Sequence, residues 1–216
     1  QNGNGVNHKN DQYGISTLNT VSASTNIFIK HNNINITGGA DKTYKGIDNQ
    51  TGGGTNSTVD ISKNNITVNI PSNINTVSGS VTGIISSTGT NPVTNINLNG
   101  NTLKNSGLSG QGGWTGIYNK SNSVSTTGII QMNDNFIDSN SIASTGTFVG
   151  LQSDAGTYSK LYLNGNSIAN NSKLSIGSEL NWLYQKSTGS GQGDLFIENN
   201  NIDKDLVLVP RINTVE

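Results

Sequence analysis

The residues able to do chemistry in this chain are few and scattered. Acid–base catalysis needs an imidazole or carboxylate facing the reacting group, and glycoside hydrolysis needs two carboxylates on one face. Asp134 and Asp138 flank one short segment, and Glu198, Asp203 and Asp205 flank a related one further on. In the segment between these two, the matching positions hold Gly165 and Ala169, so no acidic residue carries the pattern across. His31 stands alone in the body of the chain, and His8 lies in its leader. With no cysteine there is no thiol nucleophile, no disulfide and no thiolate metal site. The stretch Gly191-Gln192-Gly193-Asp194-Leu195 is similar to a calcium-binding nonapeptide, but it occurs once and that motif works as a stacked array. No catalytic residue, metal or cofactor is expected.

Composition narrows the remaining classes. The 216 residues suffice for one sizeable core. Only 31% are hydrophobic and 12% charged, against 36 asparagines and 27 glycines, so the polarity comes mainly from uncharged amides and hydroxyls. A disordered chain would normally carry high net charge as well, and here 12 basic residues nearly cancel 13 acidic ones. A single arginine, Arg211, and no basic cluster argue against a nucleic-acid partner. No apolar run approaches the roughly 20 residues of a membrane-spanning helix. The chain begins with Gln1 and reads as a mature or excised segment, and its lack of cysteine suits export across a bacterial envelope.

The elements that must position any functional residue come from an internal repeat. Six segments share the pattern apolar-x-apolar-x-x-Asn-x-apolar, from Ile27, Val59, Ile96, Ile130, Leu161 and Leu195 onward. Their asparagines are Asn32, Asn64, Asn101, Asn135, Asn166 and Asn200, which lie 32, 37, 34, 31 and 34 residues apart. A second motif precedes each segment: a glycine followed by an apolar residue at Gly14, Gly46, Gly83, Gly116 and Gly150, with Trp182 in the sixth place. Tracts such as Thr51–Thr58 and Ser187–Gly193 fall between the two motifs and read as surface loops that make the period elastic.

Apolar-x-apolar has the period of two of a strand with one buried face. The chain then turns at the asparagine and buries one more apolar residue. Asparagine tolerates left-handed backbone, so it is expected to occupy the corner in that conformation. Six corners stacked at about 4.8 Å would let their side chains hydrogen-bond along the axis as an asparagine ladder. A third strand per coil is suggested by Val68/Ile70, Leu108, Ile142, Leu174/Ile176 and Leu206/Leu208. The fold expected is all-β, a solenoid of about six coils over residues 13–208. Residues 1–12 are then a leader or the end of a preceding coil, and 209–216 a tail or the start of the next.

The repeated pattern resembles the right-handed parallel β-helix proteins of the pectin-lyase-like class, from about Tyr13 to Leu208. The class contains polysaccharide lyases and hydrolases, phage tailspikes and secreted bacterial adhesins including autotransporter passengers. The resemblance implies an architecture and leaves the choice of function to the site. A lyase of the class needs a carboxylate cluster for calcium and a basic group, and Arg211 lies beyond the last repeat. The reading expected is therefore a non-catalytic, secreted or surface-exposed bacterial adhesin or passenger segment that presents a rigid face to a glycan or protein on a host or neighbouring cell. A segment of a polysaccharide lyase, hydrolase or tailspike is the alternative, and self-association end to end through uncapped coil ends is expected as well.

The binding residues expected lie two positions after the glycine column. That column runs Ser16, Asp48, Ile85, Tyr118, Gln152 and Tyr184 and should point outward. Tyr118 and Tyr184 would stand two rungs apart, on the order of 10 Å, with Gln152 between them and Trp182 beside Tyr184. Aromatic rings with an amide between them suit the face of a sugar or a protein contact.

Overall fold

The computed structural model describes residues 12–18, 26–38, 43–51, 53–54, 56–70, 80–87, 93–110, 112–121, 124–144, 146–173, 180–185 and 191–202. These residues form a parallel β-solenoid, with every strand pair parallel and no helix among them. None of the described elements is a helix long and apolar enough to cross a membrane. The first side stacks Gln12–Thr17, Tyr44–Asn49, Val81–Ser86, Trp114–Asn119, Phe148–Ser153 and Leu180–Gln185. The second stacks Ile27–Lys30, Thr58–Ser62, Val93–Asn97, Val124–Gln131, Thr157–Tyr162 and Gly191–Phe196. The third side is a nine-stranded sheet of shorter pieces, beginning with Asn33–Thr37 and Asn65–Asn69.

The repeat columns are the core. In the four middle coils, Ile47, Ile84, Ile117 and Leu151 line the first side, and Ile66, Leu103, Ile137 and Ile168 the third. On the second side, Val59, Ile96, Ile130 and Leu161 are joined by Ile61, Leu98, Met132 and Leu163. All sixteen are at most 2% exposed. Burying a side chain of this size contributes about 1.5–3 kcal/mol, and strands that spend every second residue this way can leave the outside to asparagine and threonine. The glycine column marks the closest approach of the first side to its neighbours. A Cβ on Gly46 would stand 2.5 Å from the Gly83 carbonyl oxygen and 2.6 Å from Ile66 Cγ2, and one on Gly150 2.6 Å from the Trp182 oxygen.

The asparagine column forms the expected ladder at the corner between the second and third sides. Asn64, Asn101, Asn135 and Asn166 are at most 1% exposed and bonded rung to rung. Their backbone is not left-handed, contrary to expectation. The residue before each takes that conformation: His31, Lys63, Gly100, Asp134, Gly165 and Asn199, at φ of 56–66°. The asparagine is thereby freed to turn its amide inward and along the axis, which a residue in the left-handed well facing solvent would not do.

The third side also differs from a single strand. Asn105, Ser139 and Asn170 are again left-handed, and they break it into two strands in coils three to five: Thr102–Lys104 and Gly107–Gly110, Phe136–Asp138 and Ser141–Ser144, Ser167–Ala169 and Ser172–Lys173. Ile66 pairs Leu103 and Asn69 pairs Gly107, so three steps in coil two face four in coil three. The extra residue makes a second corner, at which buried Ser106, Asn140 and Asn171 form a second ladder: Ser106 N–H donates to Asn140 Oδ1 at 2.9 Å, and Asn140 Nδ2 to Asn171 Oδ1 at 2.8 Å. Leu108 and Ile142 are buried beyond it, as the sequence suggests. Residues 1–11, Leu174/Ile176, Asp203, Asp205, Leu206/Leu208 and the 209–216 tail lie outside the described residues.

Candidate functional site

The column two residues past the glycines is one continuous outward stripe. Ser16 pairs Asp48, Asp48 pairs Ile85, and Tyr118 lies between Ile85 and Gln152, with Tyr184 next. Parallel pairing holds these side chains about 4.8 Å apart, rung by rung. Tyr118, Gln152 and Tyr184 are each half-buried.

Asp154 joins this group, and sequence reasoning missed it. It follows the strand Phe148–Ser153, and its backbone N–H donates to the Asn119 carbonyl at 2.9 Å, which fixes it beside the rung below. Tyr118 donates its phenolic O–H to Asp154 Oδ2, and Gln152 Nε2 donates to Asp154 Oδ1 at 2.9 Å. Partial burial raises the Tyr118 pKa far above the usual tyrosine value, and the bond to the Asp154 carboxylate, its negative charge and neighbouring Tyr184 push the same way. The phenol stays protonated and its ring is pinned in place. The cluster is a ring, a carboxylate and an amide held by two adjoining rungs, with the Tyr184 ring on the next.

Trp182 does not share this face. It is 2% exposed and meets Phe148 edge-on at 5.2 Å, while Phe148 stacks on Trp114 at 4.8 Å and 11°. Its ring belongs to the core because the strand alternation breaks at this column: in coils two to five the glycine and the apolar residue after it are both buried, which strict alternation does not give. In the other coils the next rung's carbonyl excludes a Cβ at this column, and Trp182 is on the last described rung. At the other end of the stripe, Asp48 is 1% exposed and engaged by Lys45 Nζ at 2.8 Å and Gln50 Nε2 at 2.9 Å. The Lys45 ammonium also lies 5.3 Å from the centre of the Tyr13 ring.

A second aromatic group sits outside the second side, in the column Phe28, Asp60, Asn97, Gln131, Tyr162 and Phe196. Tyr162 and Phe196 stack on each other at 4.7 Å and 12°, which occupies the ring faces between them. Lys30 bridges Asp60 at 2.5 Å and lies 5.2 Å from the Phe28 ring centre. The signal was present in the sequence, in the x of apolar-x-apolar.

Of the carboxylates first considered for catalysis, the described ones are Asp134, Asp138 and Glu198. Asp134 is an exposed left-handed corner residue, Asp138 accepts from Ser139 Oγ and Asn170 Nδ2 at 2.7 Å each, and Glu198 is exposed near the last described corner. His31 is likewise an exposed corner residue. Gly191–Phe196 is a strand of the second side, with Asp194 paired to Lys160. Among the described residues no three His, Cys, Asp or Glu side chains are grouped to hold a metal ion. The class defined by fold and surface is that of parallel β-solenoids. No protein-family model, curated protein or solved structure matches the chain.

Proposed function

We propose that this chain is a secreted or surface-exposed bacterial β-helix segment of the adhesin or autotransporter-passenger kind, similar in character to the pectin-lyase-like class, that binds a glycan or protein without turning it over. The observation that carries this reading is the stripe Tyr118, Gln152, Tyr184 with Asp154 on the first side. Aromatic rings and hydrogen-bonding groups are fixed there on successive rungs, and a preorganised face loses little conformational entropy on binding. The asparagine ladders at the other corners of the solenoid add to the rigidity, and an exterior of neutral amides and hydroxyls suits contact with polar surfaces.

The test is binding of the 216-residue chain to immobilised glycans and to host-cell surfaces, with and without Tyr118→Ser and Tyr184→Ser together. Loss of binding with an unchanged melting temperature supports the reading. Retained binding sinks the face as the site, and chain cleavage of any glycan would replace the adhesin reading with an enzymatic one.

A further inference from the structure

The chain twice satisfies the same small recognition unit internally. On the first side the Tyr13 ring and the Asp48 carboxylate, from adjoining rungs, hold the Lys45 ammonium. On the second side the Phe28 ring and the Asp60 carboxylate, again from adjoining rungs, hold the Lys30 ammonium. Both units combine attraction of a cation to a ring face with an ion pair.

Tyr118 and Asp154 again set a ring and a carboxylate together on adjoining rungs, here joined directly by the phenol O–H, with the Tyr184 ring two rungs from Tyr118 in the same column. Among the described residues no ammonium lies within ion-pair distance of Asp154. Lys120, exposed at the matching position one rung below, forms no bridge to it, and Lys186, the residue after Gln185 in the sequence, lies outside the described residues. The donors nearest the carboxylate, Tyr118 O–H and one Gln152 Nε2–H, are already given to it. What the cluster still offers is mainly acceptors: the remaining carboxylate lone pairs, Gln152 Oε1 and the phenol oxygens, with a full negative charge among them.

We propose that this cluster takes an amino-sugar glycan, seating its ammonium on Asp154 beside the tyrosine rings, and disfavours glycans bearing carboxylates. The proposal rests on the binding face described above. A pyranose lays its C–H face on a tyrosine ring while its hydroxyls meet Gln152, and the charged nitrogen takes the place that Lys45 and Lys30 fill in the other two units. An acidic sugar would set its own carboxylate against Asp154, which is the like-charge arrangement that specific interfaces use to reject wrong partners.

The experiment compares three tetrasaccharides in titration against the chain: glucosamine, N-acetylglucosamine and galacturonate. The first two differ at the ammonium alone. Glucosamine should bind about tenfold tighter than its N-acetyl form, and galacturonate more weakly than either. Asp154→Asn should erase the glucosamine advantage, whereas Asp138→Asn on the third side should leave it intact. Tyr118→Phe, which keeps the ring and frees Asp154 Oδ2, should strengthen glucosamine binding and weakened binding would overturn the proposal, so it stays testable if Asp154→Asn lowers stability. Equal affinity for the two glucosamine forms, with loss in the double tyrosine variant, would overturn this inference and leave the glycan-binding face standing. Preference for galacturonate that disappears in Lys120→Gln with Lys186→Gln would overturn it in favour of a basic site. Binding of none of the three would overturn it, and a face that still bound host-cell protein would then stand as a protein-binding face.

Discussion

Asn64 gives both its backbone N–H and its side-chain Nδ2–H to the single Oδ1 of Asn101, at 3.1 and 3.0 Å. Its other Nδ2 hydrogen reaches down to the Ile29 carbonyl at 2.9 Å, and Asn101 repeats the arrangement with Asn135 above and Ile61 below. Each amide therefore uses two donors and two acceptor positions, its full capacity, inside the wall of the solenoid. A shorter or differently shaped side chain cannot span both the rung above and the strand end below.

Replacing Asn101 by Ala strands the two Asn64 donors and the Ile61 carbonyl in a buried site. Unmet buried groups cost about 1–3 kcal/mol each, with partial relief from relaxation, so a loss of about 3 kcal/mol is expected. Asn97→Ala, at a half-buried outward position of the preceding strand, should stay within about 0.5 kcal/mol. Chemical-denaturation midpoints read the difference, and equal effects at the two sites would refute the ladder as a source of stability.

Lys63 holds the left-handed backbone at φ 58° with a Cβ that opposes it. That conformation costs a non-glycine residue about 1–2 kcal/mol, while glycine adds about 0.4–1 kcal/mol of unfolded-state entropy. Lys63→Gly should therefore stabilise the fold by about 0.5–1 kcal/mol. The reverse change at the equivalent corner, Gly100→Ala, should cost about 1 kcal/mol. A thermal melt in which both substitutions moved stability in the same direction would contradict the assignment.

Gly83 has no room for a methyl group: a Cβ would stand 2.6 Å from the Gly116 carbonyl oxygen, a backbone atom of the next rung, and would overlap Leu103 Cδ2. Gly83→Ala should cost about 3 kcal/mol, at the upper end of overpacking penalties, because the carbonyl cannot move without breaking its ladder. Gly107→Ala, whose Cβ would meet only Asn69 Oδ1 at 3.4 Å, should be tolerated. Indistinguishable denaturation midpoints for the two variants would show that the rungs are looser than this spacing requires.

Tyr118 and Tyr158 both have raised pKa values, Tyr118 through burial and Asp154, and Tyr158 through burial. A folded value above the unfolded one, about 10, means the fold holds these protons more tightly than the open chain does. Their contribution to stability is whole below about pH 10 and is lost as pH climbs through the folded values. Alkaline unfolding should accompany a late phase of phenolate absorbance, and Tyr158→Phe should move the unfolding midpoint to higher pH. A midpoint unchanged by that substitution would assign the alkaline transition to other groups.

The template columns were legible because stacking repeats one geometry. Rungs about 4.8 Å apart force residues at equivalent positions into the same environment, so a position apolar six times over is a core column and an asparagine kept six times over is a ladder. The outward stripe from Ser16 to Tyr184 followed from the same alternation. The second ladder was not legible, since it exists only in coils three to five and mixes Ser106 with Asn140 and Asn171. Left-handed backbone was assigned to the wrong residue of the corner: the repeated asparagine drew the assignment, although the column before it, with Gly100, Gly165, Asn199, Asp134 and His31, is made of types that favour that conformation, Lys63 alone excepted.

The sequence by itself determined the repeat, the inward and outward alternation of the second-side strands and the ladder column, all consequences of period. Tertiary structure decided which neighbours meet across rungs. Tyr118 reaches past its column partner Gln152 to bond Asp154, 36 residues away, and that contact depends on how the chain leaves the strand after Ser153. Trp182 sits in a column whose other members are glycines, and only packing against Phe148 shows its ring turned into the core. Repetition along a chain specifies position within a rung, while the direction and reach of a side chain are set by the space its neighbours leave.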